Sequence, residues 1–304
     1  DVARKVRDYH LGGVILFAEN IDTLEQAQKL VDDFQNAAEI PLLVGIDEEG
    51  GLVSRLDKSN IAHTSMPSAG EMDQDYEAKE AGRSIGETLL SMGVNVDFAP
   101  VADINTNPEN PVIGIRSYSD DPEKTAEMVC AFIQGLQATG VSATVKHFPG
   151  HGDTQTDSHY GEVFVTHDLD RLRTVEFVPF AKAIDEGVDL VMIGHIQTPS
   201  ATSDGLPASL SAEAVQLLRN ELNFQGVAIT DAMNMQAITQ YYGVGESSVL
   251  SVLAGVDIVL MPADLDVAYE ALLEALEQGR ITQTRLDESL ERILGLKYDK
   301  GLLK

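Results

Sequence analysis

The stretch GVILFAENIDTLEQAQKLVDDFQNAAEIPLLVGI, residues 13–46, decides the predicted fold of this chain. Two short apolar runs, 13–18 and 41–46, enclose the segment 23–38, in which apolar residues recur with helical spacing. Neither run alternates apolar and polar residues, which is typical of strands buried on both faces. Two such strands joined by a helix form a βαβ unit, so the stretch predicts a parallel sheet covered by helices.

The same alternation continues along the chain and sets the expected number of strands. Further apolar runs, separated by helical segments, lie at 94–101, 142–148, 189–196, 226–231 and 257–262. A helix precedes the first of the seven runs, and a strand before that helix would make eight, the number that closes a (β/α)₈ barrel. We therefore expect an α/β TIM-like barrel whose first strand is missing from the N-terminus. A doubly wound open sheet is the alternative, but no strand is followed by the G-x-G-x-x-G turn of a dinucleotide-binding unit.

Composition excludes several classes of protein. The chain has 304 residues, with 21 basic and 49 acidic side chains and a formal net charge of −28. Such a surface repels nucleic acids and anionic membranes, so neither is an expected partner. No stretch approaches the length of a membrane-spanning helix. The single cysteine, Cys130, excludes an intrachain disulfide and a zinc site made of several thiolates. The chain begins within a helix, so the sequence does not decide between the cytoplasm and export to the cell wall.

Titratable residues adjoin most of the predicted strand ends. In a barrel, these ends meet at one rim, where active sites lie. Some of the charges could form salt bridges at the rim, but a whole set of unpaired charges at the mouth of a core is costly without a purpose. The residues at these positions are Asp47, Glu48, Glu49, Asp97, Asp103, Lys146, His147, His195 and Asp231.

The densest group of such residues is KHFPGHGDTQTDSH, residues 146–159. One interpretation is a metal site that uses His147 and His151 together with His159 or an aspartate. The other is an acid/base site in which Asp157 orients and polarises His159. The residues alone leave both interpretations open.

This segment resembles the signature of bacterial β-N-acetylglucosaminidases of glycoside hydrolase family 3. The stretches LGGVILFAENI, GIDEEGGLVSRL and GVAITDAMNMQAI agree with that family in order and spacing, and the resemblance covers nearly the whole chain. It implies that residues 1–304 form a single catalytic (β/α)₈-like barrel domain, whose first strand lies before the point where this chain begins. Some relatives carry a second, C-terminal domain.

The resemblance also implies roles for individual residues. It places the nucleophile on Asp231 and the general acid/base on His159, with Asp157 as the partner of that histidine. It implies a retaining exo-β-N-acetylglucosaminidase that removes terminal GlcNAc from peptidoglycan-derived fragments in cell-wall turnover, with a small carbohydrate as partner and no cofactor or metal. The implied substrate-binding residues are Asp47, Arg55, Arg116, Lys146, His147 and His195. For His195, a scaffolding role is the alternative.

Three alternatives to hydrolysis by this mechanism stay open. Some relatives transfer the sugar to phosphate, and a neutral imidazole tolerates an incoming phosphate better than a carboxylate base would. A metal-dependent hydrolase would use the cluster of His147, His151 and His159. A catalytically silent sugar-binding domain is disfavoured, because a binder has no need of Asp231, Asp157 and His159 together.

Overall fold

The computed structural model describes residues 2–158 and 160–303. A sheet of six parallel strands is its centre, with the strand order β1-β2-β3-β4-β6-β8, and β5 and β7 form a small parallel pair beside it. The strands are β1 (Gly13–Leu16), β2 (Leu43–Ile46), β3 (Val96–Asp97), β4 (Ser142–Phe148), β5 (Val163–Phe164), β6 (Leu190–Ile193), β7 (Ile196–Gln197) and β8 (Val227–Thr230).

Helices occupy most of the connections between these strands. They are α1 (Val2–Tyr9), α2 (Leu24–Ala37), α3 (Asp75–Ser91), α4 (Pro122–Gln137), α5 (Leu169–Thr174), α6 (Phe177–Asp185), α7 (Ala212–Gln216), α8 (Gln236–Thr239), α9 (Val244–Ala254), α10 (Leu265–Glu277) and α11 (Gln283–Asp299). Among the described residues, no helix is both long enough and apolar enough to cross a membrane.

Local sequence explains where several helices begin and how closely they pack. The Thr23 side chain accepts a hydrogen bond from the first turn of α2, and Asp121 does the same for α4, which has Pro122 at its first position. Gly82 of α3 and Gly135 of α4 allow these helices to approach so closely that a Cβ atom at either position would clash with the backbone of the other helix.

The main sheet confirms the predicted α/β class and TIM-like barrel. Its strands follow one another in sequence order, as in a barrel, whereas a doubly wound sheet reverses direction in the middle. Side chains from alternate strand positions fill the interior, among them Leu43, Val96 and Leu190. Gly45 makes room for the Phe98 ring, which lies where a Cβ atom would stand.

Most of the predicted strands are somewhat shorter than their apolar runs, and the difference is largest for the runs 94–101 and 257–262. Only Val96–Asp97 of the run 94–101 is a strand; Pro100, which lacks an N–H, follows soon after. In the run 257–262, a single residue, Ile258, makes a parallel bridge to Ile229 of β8. The chain nevertheless stays beside β8, because the N–H of Thr230 donates to the carbonyl of Ile258 at 3.0 Å.

Candidate active site

A cavity of about 370 Å³ opens at the carboxyl edge of the sheet. It lies where the chain leaves the ends of β2, β4 and β8, as expected for the functional face of a barrel. Residues that are far apart in the sequence therefore meet here. The predicted site residues that line the cavity are Asp47, Arg55, Arg116, Lys146, His147 and Asp231.

Lys146 is the centre of a group of buried charges that we call the carboxyl-edge cluster (Asp47, Glu49, Arg55, Arg116 and Lys146). Its side chain is 2% exposed, and its Nζ donates to Asp47 Oδ1 at 2.8 Å and lies 2.6 Å from Glu49 Oε1. Burial alone would favour the neutral amine, but the carboxylates of Asp47 and Glu49 raise the pKa of Lys146. The ammonium is therefore held in its charged form.

Glu49 joins two cations of this cluster. The Arg116 guanidinium donates to both of its carboxylate oxygens, at 2.8 and 2.9 Å. Burial opposes ionisation, but Lys146 and Arg116 hold the pKa of Glu49 far below its usual range. Glu49 thus holds Arg116 in place.

Arg55 lines the cavity beside Asp47. One of its terminal nitrogens lies 3.4 Å from Asp47 Oδ2, and its guanidinium stacks over the Phe17 ring at 5.8 Å. Within the described part of the chain, the buried Arg55 Nε has no hydrogen-bond partner. A buried N–H of a cation is costly when unpaired. Because this Nε is itself buried, the part of Arg55 that a ligand in the cavity can reach is the rest of its guanidinium group.

Two buried carboxyl groups hold the loop that carries Arg55. Glu48 accepts hydrogen bonds from the backbone N–H groups of Arg55 and Leu56, at 2.7 and 3.0 Å. The N–H of Glu48 in turn donates to Asp97 Oδ1 at 2.9 Å. Burial raises the pKa of both carboxyl groups. These two strand-end residues position the backbone and are absent from the cavity lining.

β4 presents two consecutive residues, Lys146 and His147, to the cavity. In a regular strand, consecutive side chains point to opposite faces, but the pairing of β4 with β6 is irregular between Val145 and Phe148. The Lys146–His147 peptide bond is cis. The irregular pairing explains how a single strand supplies two adjacent site residues.

Asp103 orients the His147 ring. Its Oδ2 lies 2.7 Å from His147 Nδ1, and its carboxylate also accepts the backbone N–H groups of His147 and His151. Burial opposes ionisation of Asp103, but His147 lowers the pKa of that carboxyl. A carboxylate only accepts hydrogen bonds, so Nδ1 of His147 carries the proton.

Asp231 follows β8 directly. Its N–H donates to the Ile193 carbonyl at 2.9 Å, which extends the pairing of β8 with β6, and its Oδ1 accepts the N–H of Ala232 at 2.7 Å. Burial works against ionisation, but His147 and His195 lower the pKa of Asp231. The cavity therefore contains an ionised carboxylate, the state that a nucleophile requires.

His195 is buried beside this carboxylate, and its contacts favour the scaffolding alternative. Nε2 lies 3.0 Å from the carbonyl of Ala232 and must donate to it, while Nδ1 lies 2.7 Å from Ser209 Oγ. The ring thereby fixes the segment after Asp231. It is absent from the cavity lining, and its contact with substrate stays a prediction.

Asp157, the predicted partner of the general acid/base, lies on the loop between β4 and β5. The carbonyl of Asp157 accepts the N–H of Tyr160 at 2.9 Å. His159 lies outside the described residues, so its pairing with Asp157 stays a prediction. In residues 2–158 and 160–303, no group of three His, Cys, Asp or Glu is placed to hold a metal ion.

The sequence analysis did not identify the apolar wall of the cavity. Phe17, Val53, Met235, Leu260 and Met261 all contribute to it. Phe17, Leu260 and Met261 lie in the predicted apolar runs 13–18 and 257–262, but hydropathy does not indicate which apolar side chains face a cavity. Such a wall suits the apolar face of a ligand.

Comparison with known proteins identifies related chains. Residues 1–296 match the family described as glycosyl hydrolase family 3 N terminal domain. Beta-hexosaminidase A of Pseudoalteromonas piscicida is 36% identical to this chain over 98% of its residues. The structure of a glycoside hydrolase family 3 beta-N-acetylglucosaminidase from Paenibacillus sp. str. FPU-7 has a TM-score of 0.95 and 42% identity over 99% of this chain. Beta-glucoside phosphorylase BglX bound to 2FGlc has a TM-score of 0.89 and 28% identity over 96% of this chain.

This chain corresponds to only part of each of these relatives. It spans 55% of the beta-hexosaminidase A chain, 59% of the Paenibacillus chain and 54% of the phosphorylase chain.

Proposed function

The chain belongs to glycosyl hydrolase family 3, and we propose that residues 1–304 are the single catalytic barrel domain of a retaining exo-β-N-acetylglucosaminidase. One observation carries the proposal above all others. Asp231, an ionised carboxylate at the end of β8, faces a cavity whose other walls combine hydroxyl-binding charges with apolar side chains. The hexosaminidase and N-acetylglucosaminidase relatives support the choice of substrate class.

Asp231 is the proposed nucleophile. Its carboxylate attacks the anomeric carbon of the terminal sugar, and the bond from that carbon to the leaving oxygen breaks as the new carbon–oxygen bond forms. Water then attacks the same carbon and releases the aspartate. Two inversions at one carbon retain the configuration of the sugar. His195 contributes by holding the Ala232 carbonyl, which keeps the carboxylate aimed at the cavity.

His159 is the proposed acid/base, with Asp157 as its partner. It gives a proton to the leaving oxygen in the first step and takes one from water in the second. The support is the match of DSH, residues 157–159, to the family signature. An imidazole with an ordinary pKa near 6.5 is suited to both transfers near neutral pH.

The carboxyl-edge cluster is the proposed sugar-binding wall. Asp47 and Lys146 hold each other at 2.8 Å and keep lone pairs and N–H donors that sugar hydroxyls can use. Arg55 lines the cavity, and its guanidinium group suits the carbonyl of the N-acetyl group. A cavity of about 370 Å³ suits a single terminal sugar, which supports exo cleavage. We infer that the natural substrates are peptidoglycan-derived fragments.

Phosphorolysis is the second candidate, since a beta-glucoside phosphorylase is among the structural relatives. It uses the same attack by Asp231, and phosphate replaces water in the second step. The reaction with GlcNAc-β-1,4-MurNAc, run with and without phosphate and followed by NMR, separates the two. Free β-GlcNAc as the first product supports retaining hydrolysis, whereas GlcNAc 1-phosphate formed only with phosphate supports phosphorolysis.

Two further arms test the chemistry itself. A 2-deoxy-2-fluoro or 5-fluoro glycoside should trap a covalent adduct on Asp231, located by peptide mass mapping; an adduct elsewhere would refute the nucleophile assignment. Activity should survive exhaustive EDTA treatment. Loss on chelation that zinc or manganese restores would instead support the metal-dependent hydrolase.

A further inference from the structure

Ser158 joins the acid/base loop to the segment that follows the proposed nucleophile. It is 2% exposed and lines the cavity, next to Asp157 in the chain. Its backbone carbonyl accepts the N–H of Ala237, in α8, at 3.1 Å. Since α8 comes shortly after Asp231, the loop and the nucleophile segment are connected through this residue.

The side chain of Ser158 faces His151, whose ring has a defined proton position. The hydroxyl of Thr154 donates its one proton to the carbonyl of His151 at 2.9 Å. The Thr154 oxygen can therefore only accept from His151 Nδ1, which lies 2.6 Å away and must carry a proton. When the ring is neutral, Nε2 bears a lone pair, and this atom lies 3.5 Å from Ser158 Oγ.

The surroundings of His151 keep its ring neutral. Burial and the neighbouring His147 lower the pKa of His151, against the opposing effect of Asp103 and Asp231. The two imidazole rings meet edge to face at 5.7 Å. Nε2 thus remains an acceptor at neutral pH.

His151 is also a rigid anchor. Its backbone N–H donates to the buried Asp103 carboxylate at 2.6 Å, and its carbonyl accepts from Asn110 Nδ2 at 2.8 Å. A side chain bound to this ring is therefore tied to the floor of the cavity and to the loop around residue 110.

We propose that Ser158 is a positioning residue that fixes the acid/base loop. In the substrate complex its hydroxyl donates to His151 Nε2, while its carbonyl holds the N–H of Ala237, so the loop is attached on two sides. The observed 3.5 Å is long for such a bond, and hydrogen bonds of this kind often shorten when substrate binds. The inference rests on the proposed function, because it concerns the loop that carries the proposed acid.

The test is Ser158→Ala, which removes the hydroxyl and keeps the carbonyl. A misplaced acid matters most when the leaving group needs a proton, as a sugar alkoxide does and a dinitrophenolate does not. For GlcNAc-β-1,4-MurNAc, kcat/KM should fall by about 10- to 100-fold, the effect of a small misplacement of a catalytic group. The loss for the dinitrophenyl glycoside of GlcNAc should be clearly smaller. Ser158→Thr, which keeps a hydroxyl, should recover much of the disaccharide activity.

Two controls make the result specific. Ser200→Ala removes an exposed hydroxyl that donates to the Thr166 carbonyl at 2.8 Å outside the cavity, and it should change neither substrate. In a His151→Gln background, adding Ser158→Ala should cost little more, because the two residues form one contact. An equal loss on both substrates, or no loss, overturns this inference alone. If the unmodified enzyme turns over neither substrate, the proposed function fails and the inference falls with it.

Discussion

The two edges of the sheet each hold a buried group of charges, and the groups differ in how completely they are bonded. The carboxyl-edge cluster lines an open cavity, and Arg55 Nε within it has no partner in the described part of the chain. At the amino edge, Asp257 is fully buried and lies within 2.6–3.4 Å of three guanidinium groups. We call this the amino-edge cluster (Arg219, Asp257, Arg285 and Arg292).

The amino-edge cluster directs its polar atoms at the protein itself. Arg219 donates to the carbonyls of Phe224 and Gly226, and the Asp257 carboxylate also accepts from Ser289 and from the N–H of Ala228. Buried charge at a strand end is therefore not a sufficient sign of function. What distinguishes the carboxyl edge is that its charges line one cavity together with Asp231.

Asp231→Ala is expected to show most clearly that the two edges differ in function. Removal of the nucleophile should reduce turnover by about 10⁴-fold or more. The urea unfolding midpoint should hardly change, because among the described contacts the carboxylate accepts only the N–H of Ala232. A large loss of stability with preserved turnover would place Asp231 in the structural class instead.

Asp257→Ala should give the opposite result. Three guanidinium groups would be left without their shared carboxylate, and breaking a buried pair of this kind costs about 3–5 kcal/mol of unfolding free energy. Urea unfolding followed by circular dichroism measures the loss, and kcat/KM of the folded fraction should be unchanged. A stable variant with impaired turnover would contradict the comparison.

Asp47→Ala tests the carboxyl edge away from the nucleophile. The sugar would lose hydrogen bonds to a charged group, so kcat/KM should fall by about 10- to 100-fold. Lys146 keeps its contact with Glu49 at 2.6 Å, so stability should suffer much less than in Asp257→Ala. Equal kcat/KM for this variant and the parent enzyme would remove Asp47 from the sugar-binding wall.

The smallest effect is expected at Lys297, in α11 at the amino edge. Its Nζ donates to the Gly12 carbonyl at 2.9 Å, and burial lowers the pKa of Lys297 to about 8. Between that value and the ordinary pKa of 10.5, the unfolded chain keeps a proton that the folded chain has released. The unfolding free energy should therefore rise with pH across this window.

Lys297→Met is the control for this pH dependence. In the variant, the unfolding free energy measured with urea should rise less between pH 7.5 and pH 9.5 than in the parent protein. These two pH values lie roughly on either side of the lower half of the window. Parallel slopes for the variant and the parent protein would mean that Lys297 is already solvated and charged in the folded state.

The presence of each strand could be predicted from the sequence more accurately than the residues at which it begins and ends. The run 142–148 coincides with β4, since an apolar stretch bounded by turn residues has clear ends. The run 257–262 makes only the bridge at Ile258, because hydropathy does not report whether a neighbouring strand is present along its full length. Pairing partners lie far away in the chain, and periodicity carries no information about them.

Within the site, the sequence analysis predicted positions better than roles. Strand-end charges such as Asp47 and Asp231 were expected at one rim, and both line the cavity. Glu48 also stands at a strand end, but its carboxylate binds backbone N–H groups of its own loop. Ser158 gave no signal, because a serine in a polar loop resembles any other until its neighbours are known.

The sequence by itself determined the alternation of strands and helices and the titratable residues at the strand ends. Both are local properties, since the burial pattern of each segment is a function of its own residue order. Only the tertiary structure decided which charges remain open to a ligand. Lys146 and Asp47 are 99 positions apart and meet because β2 and β4, with β3 between them, end at the same edge of one curved sheet. The irregular pairing of β4 turns both Lys146 and His147 into the same cavity.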